Sequence, residues 1–312
     1  MTKIFISSVA AALNSTLTAF EHTASVEAEF GDILVPGTLY TLAHHGARSV
    51  NPVPCTLGNE MFEKGRGELE AIGLSHLDLD ALGGVLALLG VKPEAPSFWE
   101  LAGKVDVNGL HKLAKLGGSA QDIARLHAWH AWSEQHRCFP PRPKANEAWG
   151  VSDERWVSEI GAFVEQARLA LVSILKDDPE MLAAGVALEA KNEALNKSSF
   201  VEMKDGVVYR RSEAFVNHLY TIPNFEVVAR ACVSYNPKTK AVTLSLADPI
   251  KGISCGDIAK QMWGEQAGGH AGIAGGPRSG LEEGEARYAY FVMQRALFAA
   301  DGGMGFVALP RS

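Results

Sequence analysis

The stretch LEAIGLSHLDLDALGGVLALL, residues 69–89, carries the reading of the fold. Leu69–Leu74 is, apart from Glu70, an apolar run of strand length, His76–Asp80 is polar at every other position, and Ala81–Leu89 is apolar with small residues at its start. A buried strand that hands over to a helix through a polar loop is the unit of an α/β sheet. Ligands of open α/β sheets bind at the carboxyl ends of the strands, so this loop is where chemistry is expected. If it continues extended, His76, Asp78 and Asp80 share one face and Leu77 and Leu79 the other. Two carboxylates crowded on one face call for a cation, and oxygen with imidazole suits Mn²⁺, Mg²⁺, Fe²⁺ or Zn²⁺. The competing reading is that an aspartate caps the following helix, which accounts for one of the two aspartates and not for the histidine in register with them.

Working outward, the β-rich run Asp32–Leu42 leads straight into His44 and His45. Adjacent residues at a strand end face opposite sides, so one histidine of the pair is expected at a given site unless a loop relaxes the geometry. Asp106, Asn108 and His111 follow a helical stretch and offer a further metal ligand and partners for a phosphate oxygen; a plain Asn-Gly turn is the alternative. His127 and His130 alternate with Trp129 and Trp132, which reads as a packed or amphipathic face. Farther on, WGEQAGGHAGIAGGPR, residues 263–278, places His270 and Arg278 among closely spaced glycines. Glycines let backbone N–H groups approach an anion, so Gly268, Gly269, His270 and Arg278 are candidate phosphate binders, against the alternative of a flexible hairpin.

The 312 residues suggest two domains at about 150 residues each. Pro140, Pro141 and Pro143 mark a boundary, giving a metal-binding lobe over 1–150, a helical linker over 151–199 and a phosphate-holding lobe over 200–312. The expected fold class is α/β with two lobes: an N-terminal parallel α/β sheet and a smaller C-terminal α+β domain, joined by the linker. A net charge of −7 excludes the basic footprint of a protein that coats long nucleic acid. Cys55, Cys138, Cys232 and Cys255 are too dispersed for a zinc knuckle or a disulfide framework. The apolar run from Ile4 is broken by Ser7 and Ser8 and reads as a first strand rather than a secretory leader, and no run approaches the ~18 apolar residues of a membrane span. The expected compartment is the cytoplasm.

Two motifs together resemble a known family. HLDLDALGG, residues 76–84, resembles the first motif of the DHH phosphoesterase superfamily, and GGHAGIAG, residues 268–275, resembles the glycine-histidine motif of the DHH-associated C-terminal domain. The resemblance implies two lobes, a divalent metal centre that usually holds Mn²⁺, and hydrolysis of phosphoester or phosphoanhydride bonds. It makes His76, Asp78 and Asp80 metal ligands and His270, with Gly268 and Gly269, the substrate-phosphate binder. The chain has no Asp-His-His downstream of the first motif; its His pair, His44-His45, lies upstream behind Ala43. His44, His45 and Asp106 are therefore read as further ligands, and His45 or His111 as the acid toward the leaving group.

The expected function is metal-dependent hydrolysis of a small phosphorylated substrate such as a short oligonucleotide, a cyclic dinucleotide or a nucleotide phosphate. A pyrophosphatase or polyphosphatase, and a non-hydrolysing nucleotide-binding or sensor protein of the same fold, are the alternatives. No membrane partner is expected, and a homodimer is left open.

Overall fold

A computed structural model describes residues 2–30, 33–45, 48–136, 157–213, 220, 228–277 and 279–303. The chain forms two compact units. One comprises Met1–Asp106 with Leu113–Glu189, the other Val107–Lys112 with Ala190–Ser312.

The first unit contains β1 (Lys3–Ser7), α1 (Ala10–Leu17), β2 (Thr23–Val26), the short pair β3 (Glu29–Phe30) and β4 (Ile33–Leu34), β5 (Tyr40–Leu42) and β6 (Ala71–Leu74). It continues through α2 (Leu79–Leu89), α3 (Pro96–Asn108), α4 (Ala120–Gln135), β7 (Val157–Glu159), α5 (Gly161–Leu175) and α6 (Pro179–Lys197), with α3 and α6 extending past its limits. Its sheet runs β5-β2-β6-β1-β7. The first four strands are mutually parallel and β7 lies antiparallel on β1. β2 and β6 are buried at every position, as strands covered on both faces must be. Because four strands run the same way, their carboxyl ends open on one edge. Glu27 leaves β2 there, His44 and His45 leave β5, and Ser75–Asp78 leave β6.

Two expectations are corrected. Residues 76–80 are not an extended strand: Asp78 is the N-cap of α2, its Oδ1 accepting the Ala81 N–H at 2.9 Å, and Asp80 already lies in the first turn. Satisfying that otherwise orphaned N–H starts the helix earlier than side-chain alternation suggested. Residues 157–159, read as the beginning of a long helix, form β7. Three residues carry no period of their own, and pairing with Phe5, Ile6 and Ser7 decides their state.

α2 is buried from Leu79 to Leu88 and closes on Gly90 at φ +72°, the left-handed conformation that suits a helix C-terminus. A helix buried all round needs close neighbours, and Gly83 and Gly84 supply the room. A Cβ at Gly83 would stand 2.5 Å from the Cβ and 2.7 Å from the Cα of Cys55, and one at Gly84 2.8 Å from Pro54 Cβ and 2.9 Å from Val26 Cγ1.

The second unit contains β8 (Phe200–Lys204), β9 (Val207–Arg211), β10 (Ala231–Asn236), β11 (Ala241–Leu246), α7 (Cys255–Trp263), β12 (Gly268–Gly269), β13 (Ile273–Gly275) and α8 (Glu283–Ala300). Its sheet runs β12-β13-β11-β10-β9-β8, and among the described residues β9 and β10 pair parallel and the other neighbours antiparallel. Strand alternation divides its residues. Val207, Tyr209, Val233 and Leu244 pack with Ala259, Tyr290, Met293 and Leu297, and Val208 and Cys232 form a second cluster with Tyr220 and Ala247. The molecule is thus α/β, with a parallel-rich sheet in one unit and an α+β arrangement in the other. Among the described residues, no helix is long and apolar enough to cross a membrane.

Candidate metal centre

At the carboxyl edge of the first sheet, His44 Nε2 lies 3.4 Å from Glu27 Oε1, 3.4 Å from Asp80 Oδ2 and 3.3 Å from Asp106 Oδ2. Glu27, His44 and Asp80 are all buried, and their ligand atoms converge. A second group, Glu27, Glu29 and His45, shares Glu27 with the first. His45 Nε2 stands 2.5 Å from Glu27 Oε2, so the two oxygens of one carboxylate face two histidines. The rings of His44 and His45 lie 4.4 Å apart. Both reach the site because β5 ends at Leu42 and the pair is on the loop beyond it, free of the alternation of a strand.

The backbone here is built for the purpose. Glu27 adopts φ +49°, a left-handed conformation uncommon for a residue with a side chain, and such strain gathers at functional sites. It is held by its N–H to Leu42 O at 2.9 Å and by the Ser75 hydroxyl, which donates to its carbonyl. Glu29 Oε2 accepts the N–H groups of both His44 and His45 at 3.1 Å, while its Oε1 accepts from Arg48 at 3.0 Å. Glu29 therefore sets the turn that presents the two imidazoles.

Burial pushes the Glu27 carboxyl above its ordinary value, against the pull of His45 and His76. Burial also opposes charge on His44, but Asp106 and Asp80, with Glu27 adding, outweigh it and raise its pKa to about 10. The cluster thus concentrates negative charge and draws a positive one to its centre.

The residues fit a divalent cation. Glu27 Oε1 and Asp80 Oδ2 are shielded from solvent, and each faces His44 Nε2 at 3.4 Å, longer than a good hydrogen bond. Buried carboxylates need a positive charge among them, which the His44 proton supplies and a divalent cation would supply in its place. A four-coordinate shell with bonds of about 2.1 Å has ligand–ligand edges of about 3.4 Å, which matches the spacing around His44 Nε2. Oxygen and imidazole donors without thiolate favour the Mn²⁺, Mg²⁺, Fe²⁺ and Zn²⁺ class. The other oxygen of Asp80 accepts the Cys55 N–H at 2.7 Å, which fixes the carboxylate's rotation.

Cys55 is in turn held by Lys92, whose buried ammonium donates to Cys55 O and, at 2.6 Å, to Leu57 O, and lies 4.5 Å from the centroid of the Trp99 ring. Burial lowers the Lys92 pKa to about 8, from an ordinary 10.5. The unfolded chain then binds more protons between those values, so stability grows with pH there. Urea unfolding is expected to show wild type gaining on Lys92→Met from pH 8 to 10.5, by up to about 1.4 kcal/mol per pH unit. A constant difference would mean the ammonium titrates normally.

The structure brings together His44, His45, Asp80 and Asp106 of the residues singled out from the sequence. His76 and Asp78 instead pair with each other, Nε2 to Oδ2 at 3.2 Å, and belong to none of the converging groups. Glu27 and Glu29 are not among the residues singled out. Their signal is Val-Glu-Ala-Glu, residues 26–29, which sets two carboxylates two residues apart at the end of a strand-length run. His127 pairs with Glu189 at 3.1 Å, and Trp129 stacks on Trp132, consistent with a packed face.

In the second unit, Gly268, Gly269 and His270 form a tight hairpin rather than a loose loop. His270 N–H donates to Ile273 O at 2.7 Å, and the carbonyls of His270 and Ala271 accept the N–H groups of Gly256 and Cys255 at the start of α7. Gly256 allows that contact: a Cβ there would stand 2.8 Å from Gly269 O. Lys112, from the same unit, reaches this hairpin, its Nζ 3.6 Å from where a Gly272 Cβ would stand. Asn108 ends α3 and His111 lies in the short turn Leu110–Lys115; the His111 side chain and Arg278 lie outside the described residues, as does the proline-rich boundary near 150.

No protein-family model matches the chain, and no curated protein does. Among solved structures, an exopolyphosphatase-related protein from Bacteroides fragilis matches 96% of this chain and 91% of its own, at 12% identity and a TM-score of 0.30. At that score the likeness carries no functional weight; the side chains described above carry it.

Proposed function

We propose that the protein is a divalent-metal-dependent phosphoesterase, most simply Mn²⁺-dependent, acting on a small phosphorylated substrate such as a short oligonucleotide, a cyclic dinucleotide or a nucleotide phosphate. The observation that carries this reading is the buried set Glu27, His44 and Asp80, with Asp106 beside it, at the carboxyl edge of a parallel sheet. Three carboxylates gathered on one imidazole, two of them buried, carry more negative charge than the His44 proton alone neutralises, which suits a divalent cation. A divalent cation bound there supplies charge stabilisation to a phosphoryl group and lowers the pKa of a water molecule.

The chain's own residues have separable tasks. Glu27 links the two histidines, His44 and Asp80 set the buried floor, and Asp106 closes the side. Glu29 orients both imidazoles through their backbone. His45, a third exposed beside Glu27, is the proposed donor of a proton to a leaving oxygen. The Gly268–His270 hairpin of the second unit, with Lys112 alongside, is proposed as a phosphate-binding element. The net charge of −7 suits a small substrate held locally rather than a long polyanion.

The test begins with protein stripped by chelator and titrated with Mn²⁺, Mg²⁺ and Zn²⁺ by calorimetry, followed by assays on dinucleotides, cyclic dinucleotides and pyrophosphate. Stoichiometric binding with metal-dependent phosphate-bond cleavage is expected. Tight binding without cleavage would make the protein a nucleotide-binding module, and failure to bind any of the three ions would remove the reading altogether.

A further inference from the structure

We infer that α8 is a self-association surface, on which two copies of the chain pair antiparallel about a two-fold axis near Met293. The inner face of this helix belongs to the core of the second unit through Ala286, Ala289, Tyr290, Met293 and Leu297. Its outer face presents Gly284, Tyr288, Phe291, Arg295 and Phe298, all exposed. Their steps are four, three, four and three residues, the 3.5-residue repeat of a two-helix seam. A helix face turned to water ordinarily carries charged residues. Here three of the five are large aromatics, Tyr288 at 43% exposure and Phe291 and Phe298 at 53% each.

Electrostatics chooses the partner and its direction. In a parallel pair each seam residue meets its own copy, which sets Arg295 against Arg295. In the antiparallel pair, alternate layers interlock, so that Arg295 meets Phe291 of the second copy and Tyr288 meets its Phe298, each contact made twice. A guanidinium over an aromatic face is attractive. Arg295 already has that reach, its guanidinium lying 5.6 Å from the centroid of its own Phe298. The helix dipoles are also opposed in this arrangement.

The area sets the strength. Three half-exposed aromatics, at about 150–250 Å² each when fully buried, offer about 300 Å² per copy. The pair then covers about 600 Å², with Arg295 and its neighbours adding to it, still below the roughly 1,200 Å² of a standard stable interface. The dimer is therefore expected to be micromolar and to dissociate on dilution. This inference does not depend on the metal reading.

Sedimentation velocity on the full chain, across about 1–300 µM to bracket a micromolar Kd, decides the matter. Wild type is expected to move from 33.4 kDa toward twice that mass. Phe291→Lys sets an ammonium against the guanidinium of the second copy and is expected to weaken association about 10-fold or more. Phe291→Glu sets a carboxylate there instead and is expected to retain more association than Phe291→Lys. Phe291 faces solvent, so both variants are expected to melt with wild type. A wild-type monomer throughout the range, a dimer indifferent to Phe291→Lys, or equal losses in the two variants would each overturn the proposal.

Discussion

Asp80→Asn is expected to abolish metal binding while leaving the fold standing. The amide keeps the shape of the carboxylate, and its oxygen can still accept the Cys55 N–H that Asp80 Oδ1 now accepts at 2.7 Å. What it removes is the charge at Oδ2, 3.4 Å from His44 Nε2 and shielded from water. Metal affinity is expected to fall by more than about 100-fold, since even partners outside the ligand shell cost about 10–100-fold. Any phosphatase activity should fall with it. The metal-free variant loses both the repulsion of Asp80 on Glu27 and its attraction for the charged His44, so it should melt close to wild type. Binding is thus lost while stability is largely kept. If Asp80→Asn instead melts well below wild type and binds metal normally, the carboxylate is a structural element and the proposed centre fails. Glu27→Gln is the companion, and it should also remove the charge assistance from the 2.5 Å contact with His45.

Gly83→Val is expected to be the most damaging single change for stability. A Cβ at this position would press on the backbone of Cys55 at 2.7 Å and on the Trp99 ring at 2.9 Å. The Cys55 backbone cannot swing aside as a flexible side chain does, and it is tied to Asp80 and to Lys92. Overpacking of this kind costs about 1–3 kcal/mol or more, well above the ~0.5–1 kcal/mol that removing a helical glycine returns. Thermal unfolding should show the loss, and calorimetry should show weakened metal binding in the fraction that folds. Gly284→Val, on the open surface of α8 with nothing within 4 Å of its Cβ position, is the control and should unfold close to wild type at concentrations too low for α8 to pair. Equal effects at the two glycines would mean that helix propensity, and not the contact with Cys55, governs Gly83.

Residues 69–89 were enough to indicate an α/β unit, because a strand buried on both faces and a helix buried all round leave an unmistakable apolar signature on either side of a polar loop. The same signature marked the edge of the sheet where Asp80 lies, and strand logic brought His44 and His45 to the same edge. The roles within the 76–80 segment were not legible. Whether Asp78 continues a strand or caps a helix depends on one hydrogen bond to Ala81, and side-chain alternation is compatible with both.

Composition, periodicity and the placement of glycines by themselves determined the fold class and the edge of the sheet where chemistry is concentrated, because those depend on local patterns of burial. The tertiary structure alone added Glu27 and Glu29 to the cluster. Glu27 stands 17 residues from His44 and 53 from Asp80 along the chain. It joins them because β2 lies hydrogen-bonded between β5 and β6 and releases its chain at a left-handed residue. Parallel strands collect their carboxyl ends on one edge whatever their separation in sequence, and that neighbourhood is set by strand order, which no local pattern records.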